Sequence, residues 1–182
     1  MFMRKSLIIA SVLLSVHTVH AQESRFGEPA TDADIAKRFW SVFPDGQFLP
    51  EGEGTAVQGA ELFVDNCEVC HGSPEEHGIA DALFGGIGTL GTDKMLATVG
   101  SYWPYSTTVF NYIRRAMPYT SPMSLTNSEY YAITAYLLSA NGIIDEKAVI
   151  NKKTLPKVKM PNRNGFINAY PEIPDKYKTK FD

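Results

Sequence analysis

The chain has 182 residues, 44% of them aliphatic or aromatic and 20% charged. That is globular composition, which excludes a disordered or collagen-like chain, and the length excludes two full enzyme domains. Seventeen Lys and Arg against twenty Asp and Glu, net −3, give no sign of a nucleic-acid binder, and two cysteines are too few for a disulfide scaffold.

Arg4 and Lys5 precede an apolar run from Leu7 to Val16, and Val19-His20-Ala21 follows with small residues at the −3 and −1 positions. A basic start, about ten apolar residues and a small-residue cleavage site describe a secretory signal peptide. The run is about half of the roughly 20 residues a spanning helix needs. The pattern predicts cleavage after Ala21, export to the periplasm, and no membrane span in the mature chain. Removal of residues 1–21 leaves 182 − 21 = 161 residues with charge 15 − 20 = −5. The histidines that remain are His71 and His77, and the methionines are Met95, Met117, Met123 and Met160.

Residues 22–54 read as an N-terminal extension with a short helix near 32–39. A helix is predicted over 55–66, capped by Thr55, with Val57, Ala60 and Val64 at helical spacing. A second covers 107–116, with Phe110, Ile113 and Ala116 along one side. It stops before Met117-Pro118, because the residue before proline is pushed out of the helical region. A third begins at the capping box Thr126-Asn127-Ser128-Glu129, carries Ile133, Tyr136, Leu137 and Ala140 as an apolar stripe, and ends at Asn141-Gly142. Gly- and Pro-rich loops separate these helices, and strand patterns are nearly absent. Residues 143–182, broken by Pro156, Pro161, Pro171 and Pro174, read as an extended tail on a domain spanning 55–142.

Charge is unevenly placed. Residues 39–93 hold ten acids and no Lys or Arg, whereas 94–182 hold twelve bases and six acids. Such asymmetry is usually solvated surface, and it can also orient a molecule as it meets a charged partner.

Three helices and long loops leave a domain of this size short of regular core, so something should fill its centre. Cys67-Glu68-Val69-Cys70-His71 supplies the candidate, since C-x-x-C-H is the c-type haem attachment pattern. Two thiols three residues apart can form thioethers to one haem, and the adjacent imidazole serves as the proximal iron ligand. The alternatives fit less well. A thioredoxin-type pair sits beside a βαβ pattern, which is missing. A disulfide would not need His71, and zinc needs four ligands, of which two would be adjacent residues. For the sixth position, Met117 at a helix end is favoured over Met123, which has little slack before Thr126. His77 reads as an exposed loop histidine, and Met95 and Met160 as packing or tail residues. His/Met ligation raises the reduction potential and leaves no open position for substrate, which points to electron transfer rather than catalysis. Trp103 is either a donor to a haem propionate or a core aromatic. Arg114 and Arg115 are either propionate partners or ordinary helix-surface arginines.

C-x-x-C-H after a first helix, a Met-Pro loop and a final helix containing Tyr136-Leu137 resemble a class I cytochrome c over about residues 55–142. The resemblance implies an all-α fold of three to five helices around one covalent haem c, here with extended termini. It also implies crossed first and last helices, with Gly59, Phe63 and Tyr136 at the contact. A narrower resemblance extends to 29–35, 44–55, 102–118, 124–144 and 155–166, which are similar to the monohaem cytochrome subunits of sulfite and sulfur dehydrogenases of the Sox type. That likeness implies a molybdoenzyme partner as electron donor and a downstream cytochrome or oxidase as acceptor. A general shuttle to a terminal oxidase is the second reading, and a small haem enzyme the third. The Gly-Pro that often follows the motif in class I cytochromes is not evident in 72–91, so the carbonyl that orients His71 is not identified. The basic tail residues Lys147, Lys152, Lys153, Lys157, Lys159 and Arg163 fit either docking of a partner or a tail that covers the domain's own apolar surface.

Overall fold

The computed structural model describes residues 27, 29, 31–34 and 41–167. The signal-peptide segment, most of the N-terminal extension and the last fifteen residues lie outside the described residues. Of the short helix expected over 32–39, residues 32–34 are helical and 35–39 lie outside them.

Thr55 caps helix α1 (Ala56–Phe63) through a capping box, its hydroxyl accepting from Gln58 N–H while the Gln58 side chain accepts from Thr55 N–H. The face that turns inward is Ala56, Gly59 and Phe63. This corrects the stripe expected from sequence: Val57 is 62% exposed and Val64 54%. Hydrophobicity alone misplaced the face because its centre is a glycine. A Cβ at Gly59 would fall on the Ala132 carbonyl oxygen and lie 2.9 Å from Tyr136 Cβ. The two backbones therefore meet where α1 crosses helix α4 (Asn127–Ala140).

The first helix also ends differently from expectation. At Val64–Glu68 the backbone widens into a π-helical turn, and a short helix α2 (Val69–His71) follows. Asn66 Nδ2 donates to the Leu62 carbonyl at 2.8 Å, competing for an acceptor of the regular ladder. Such single π turns recur at functional sites, and this one carries Cys67.

Helix α3 (Ser106–Ala116) buries Val109, Phe110 and Ile113. Ala116 is only half-buried, and the backbone is extended by Met117 (φ −126°, ψ 148°), ahead of Pro118. Helix α4 is buried on nearly every side, including Tyr130, Tyr131, Ile133, Thr134, Leu137 and Leu138. The expected stripe was too narrow, because α1, α3 and the segment Glu53–Gly54 all pack against this helix; Ala140, placed on that stripe, is exposed. Thr126 N–H and its hydroxyl both donate to Glu129 Oε2, at 2.6 and 2.7 Å, closing the N-terminal box. These bonds hold the Glu129 carboxyl below the usual glutamate range. A carboxylate depressed in the folded state stabilises the fold above its unfolded pKa, and the gain is lost as pH falls through the folded value. Thr126→Ala is expected to cost about 1 kcal/mol at neutral pH. The difference from wild type should shrink in urea melts taken below the usual glutamate pKa.

The chain beyond α4 packs back onto the domain. Strand β1 (Glu53–Gly54) pairs antiparallel with β2 (Ile150–Asn151), Gly54 opposite Ile150. A 3₁₀ turn at Leu155–Lys157 buries Leu155, whose carbonyl accepts from Ser106 Oγ at 2.7 Å. Met160 is buried in the same core. Lys152 pairs with Glu51, and Arg163 stacks over the Tyr105 ring at 4.0 Å. Leu155→Ala is expected to cost about 2–5 kcal/mol, read as a lower denaturant midpoint, because it empties a fully enclosed position.

Candidate haem site

One cavity of about 560 Å³ lies between the π turn, α3, α4 and the loops at 79–83 and 97–103. That is the size of a cofactor pocket. Its wall contains Cys67, Cys70 and His71 from the π turn and α2, and Met117 from the end of α3. Trp103 also lines it, half-buried, with its ring 5.5 Å from that of Tyr112 in a T-shaped contact. The structure thus brings five of the residues singled out from sequence around one space. Arg114 is not among the lining residues: it lies near the Tyr131 phenol, which burial first and then Glu51 raise and which the Arg114 charge lowers in part. Arg115 donates to Ser41 Oγ at 3.2 Å. Neither arginine is placed for a group inside the cavity.

The π turn and α2 present the motif. Gly72 has φ 73°, and a Cβ there would strike the Glu76 carbonyl, so the chain can reverse directly after His71. His77 lies in that reversal, bridged by its backbone to Gly72, exposed and away from the cavity. The strap that follows is bonded back onto the motif. Gly78 N–H donates to the His71 carbonyl at 3.2 Å and Ala80 N–H to the Cys70 carbonyl at 2.8 Å. His71 Nδ1 lies 2.8 Å from the Asp81 carbonyl oxygen. A carbonyl only accepts, so Nδ1 carries a proton, and in the neutral ring Nε2 then keeps its lone pair. The acceptor missing from the sequence reading is therefore Asp81, and being a backbone carbonyl it had no side-chain signal.

The donor set fits a haem held through the motif. Burial, and to a lesser degree Cys70, pushes the Cys67 thiol up to about 11. A buried thiol that is costly to ionise suits a neutral thioether. Both cysteines are free, and among the described residues no group of three or more His, Cys, Asp or Glu side chains could hold a metal ion. Of the other methionines, Met95 and Met123 are exposed and Met160 is buried away from the cavity. Phe63, Phe84 and Tyr136 pack together beside the cavity, with Phe63 5.0 Å from Tyr136 and 5.5 Å from Phe84. Burial first, then Glu68 and Glu75, raise the Tyr136 phenol.

The chain is 37% identical to a chain in the crystal structure of the sulfane dehydrogenase SoxCD from Paracoccus pantotrophus. The match has a TM-score of 0.74 and covers 82% of this chain and 75% of that one. The chain belongs to the class I cytochromes c. The cytochrome also matches the family model described as cytochrome c oxidase, cbb3-type, subunit III, over residues 54–137. Among curated proteins none matches its sequence. A cytochrome c domain implies haem c, and the helical fold with crossed α1 and α4 is the one the resemblance implied.

Tyr102, Tyr112, Leu83, Val99, Ile133 and Leu137 also line the site of the cytochrome and had not been singled out for it. Tyr112 and Ile113 are consecutive on α3, and both line the cavity, the tyrosine exposed and the isoleucine buried.

Proposed function

We propose that this cytochrome is an exported, periplasmic monohaem carrier that serves a molybdenum-dependent sulfite or sulfur dehydrogenase as electron-transfer subunit or acceptor. It passes electrons on to a downstream cytochrome or oxidase. Cys67 and Cys70 would hold the haem as thioethers, and His71 and Met117 would ligate its iron. The observation that carries the reading is the meeting of these four side chains in one cavity, in a chain 37% identical to one from a sulfane dehydrogenase. The haem, when bound, supplies a one-electron couple. The chain's own residues do the rest. Asp81 fixes the His71 ring, the apolar wall excludes water, and His71 and Met117 together would leave no open iron position for substrate. The protein is therefore a carrier and not itself an enzyme.

Mass spectrometry of the denatured protein tests attachment and export together. The expected species begins at Gln22 and carries one haem covalently; a chain without covalent haem would overturn the first, and an unprocessed N-terminus the second. Reduction of the purified cytochrome by a co-purifying molybdoenzyme and sulfite or a sulfane donor tests the partner. A second reading, direct delivery to a terminal oxidase, is favoured by the family model over 54–137. It predicts turnover with an oxidase and no stable molybdoenzyme complex.

A further inference from the structure

Asn141 follows the last turn of α4, is buried, and uses its amide entirely on the protein. Nδ2 donates to the Leu137 carbonyl at 2.8 Å and to the Leu83 carbonyl at 3.1 Å. Oδ1 accepts from Gly85 N–H at 3.0 Å. Gly100 lies so close that a Cβ there would sit 2.9 Å from Asn141 Cγ. On the other side, Thr98 Oγ1 donates to the Gly85 carbonyl at 2.6 Å. Residues 83–85 are thus pinned to the end of α4 and to the 98–101 turn. The same strap, two residues earlier, supplies the Asp81 carbonyl to His71 Nδ1. Its first residues are bonded to the Cys70 and His71 carbonyls.

We propose that Asn141 is a positioning residue for His71, acting through the strap to hold the Asp81 carbonyl against Nδ1–H. The proposal rests on the reading that His71 ligates the iron. A carbonyl acceptor on the outer ring nitrogen makes the imidazole a stronger donor. A stronger donor favours the more highly charged ferric state. Without the Asn141 bonds, Leu83 and Gly85 lose their partners on α4, the strap loosens, and the bond to His71 lengthens. The ferrous state then gains.

The test is a redox titration of the full haem-loaded chain carrying Asn141→Ala or Asn141→Leu, both uncharged. Thr126→Ala, which weakens the far end of the same helix, is the control. Either Asn141 variant is expected to move the ferric–ferrous equilibrium toward ferrous by roughly three- to tenfold, tenfold being about 59 mV for one electron. Thr126→Ala should move it less than about twofold. Asn141 variants within about twofold of wild type, or a control that shifts as far, overturn the proposal. If neither variant folds, hydrogen exchange in the wild type decides. Gly85 N–H and His71 Nδ1–H opening with equal protection, within about fivefold, support coupling, whereas any larger excess of opening at Gly85 overturns it. Failure of the underlying ligand reading is seen separately, as a His71→Ala protein whose iron spectrum is that of wild type.

Discussion

Gly59→Ala should leave little correctly folded, haem-loaded protein. In an exposed helix the same change would stabilise by up to about 1 kcal/mol, since alanine is the better helix former. Here the sign is reversed by contact. The added Cβ would fall on the Ala132 carbonyl oxygen and lie 2.9 Å from Tyr136 Cβ. Both neighbours are anchored in the most deeply buried helix, so no rotamer change relieves the overlap. Overpacking costs typically 1–3 kcal/mol and more when backbone must move. We expect a loss of about 3 kcal/mol or more, seen as a thermal midpoint lower by about 6–12 °C for a domain of this size. The consequence for the site is direct: α1 leads into the π turn that carries Cys67, and Phe63 packs on Tyr136 with ring centroids 5.0 Å apart. A variant melting within two degrees of wild type would mean that the crossing is not the close contact described.

The parts of this fold legible in the sequence were those with local chemical signals. Thr126 and Glu129 announce the start of α4, Met117-Pro118 the end of α3, and C-x-x-C-H the attachment turn. The inner face of α1 was not legible from hydrophobicity, because close approach selects a glycine at its centre and leaves Val57 and Val64 outside. Arg114 looked close to the site by sequence distance, but each residue turns about 100° round a helix, and three consecutive ones cannot all face one side: Tyr112 and Ile113 span the cavity face. Ile113 takes the cavity side and Arg114 does not. The tail presents two properties at once. Ile150, Leu155 and Met160 complete the core, while Lys147, Lys153, Lys157 and Lys159 stay exposed around them. Covering the domain and displaying positive charge are therefore one arrangement and not rival ones. Truncation after Ile144 would remove core as well as charge, so charge-reversing substitutions at these lysines are the cleaner probe of docking.

On the proposed ligation, Met117→Ala should abolish the absorbance band of Met–Fe(III) coordination, lower the reduction potential, and let the ferrous protein bind carbon monoxide. Met117 is held by its place in the chain. Its N–H donates to the Ile113 carbonyl at 2.9 Å, and its carbonyl accepts from the Tyr130 hydroxyl at 3.3 Å. The Tyr130 oxygen in turn accepts from Leu125 N–H at 3.3 Å, so one buried phenol spans both ends of the 117–125 loop. No other described methionine is placed to substitute for it. Met95 and Met123 are 63% and 48% exposed, and Met160, in the tail, is locked into the core. His77 is tied into the turn after the motif and lies outside the cavity wall. A soft sulfur ligand favours ferrous iron relative to water or nitrogen, so its removal lowers the potential, and the vacated position accepts an external ligand. Met123→Ala is the control and should leave the band, the potential and carbon monoxide binding unchanged. If instead Met123→Ala erased the band and Met117→Ala preserved it, the 117–125 loop would have to refold to bring an exposed side chain inward, and the assignment of the sixth ligand would pass to Met123.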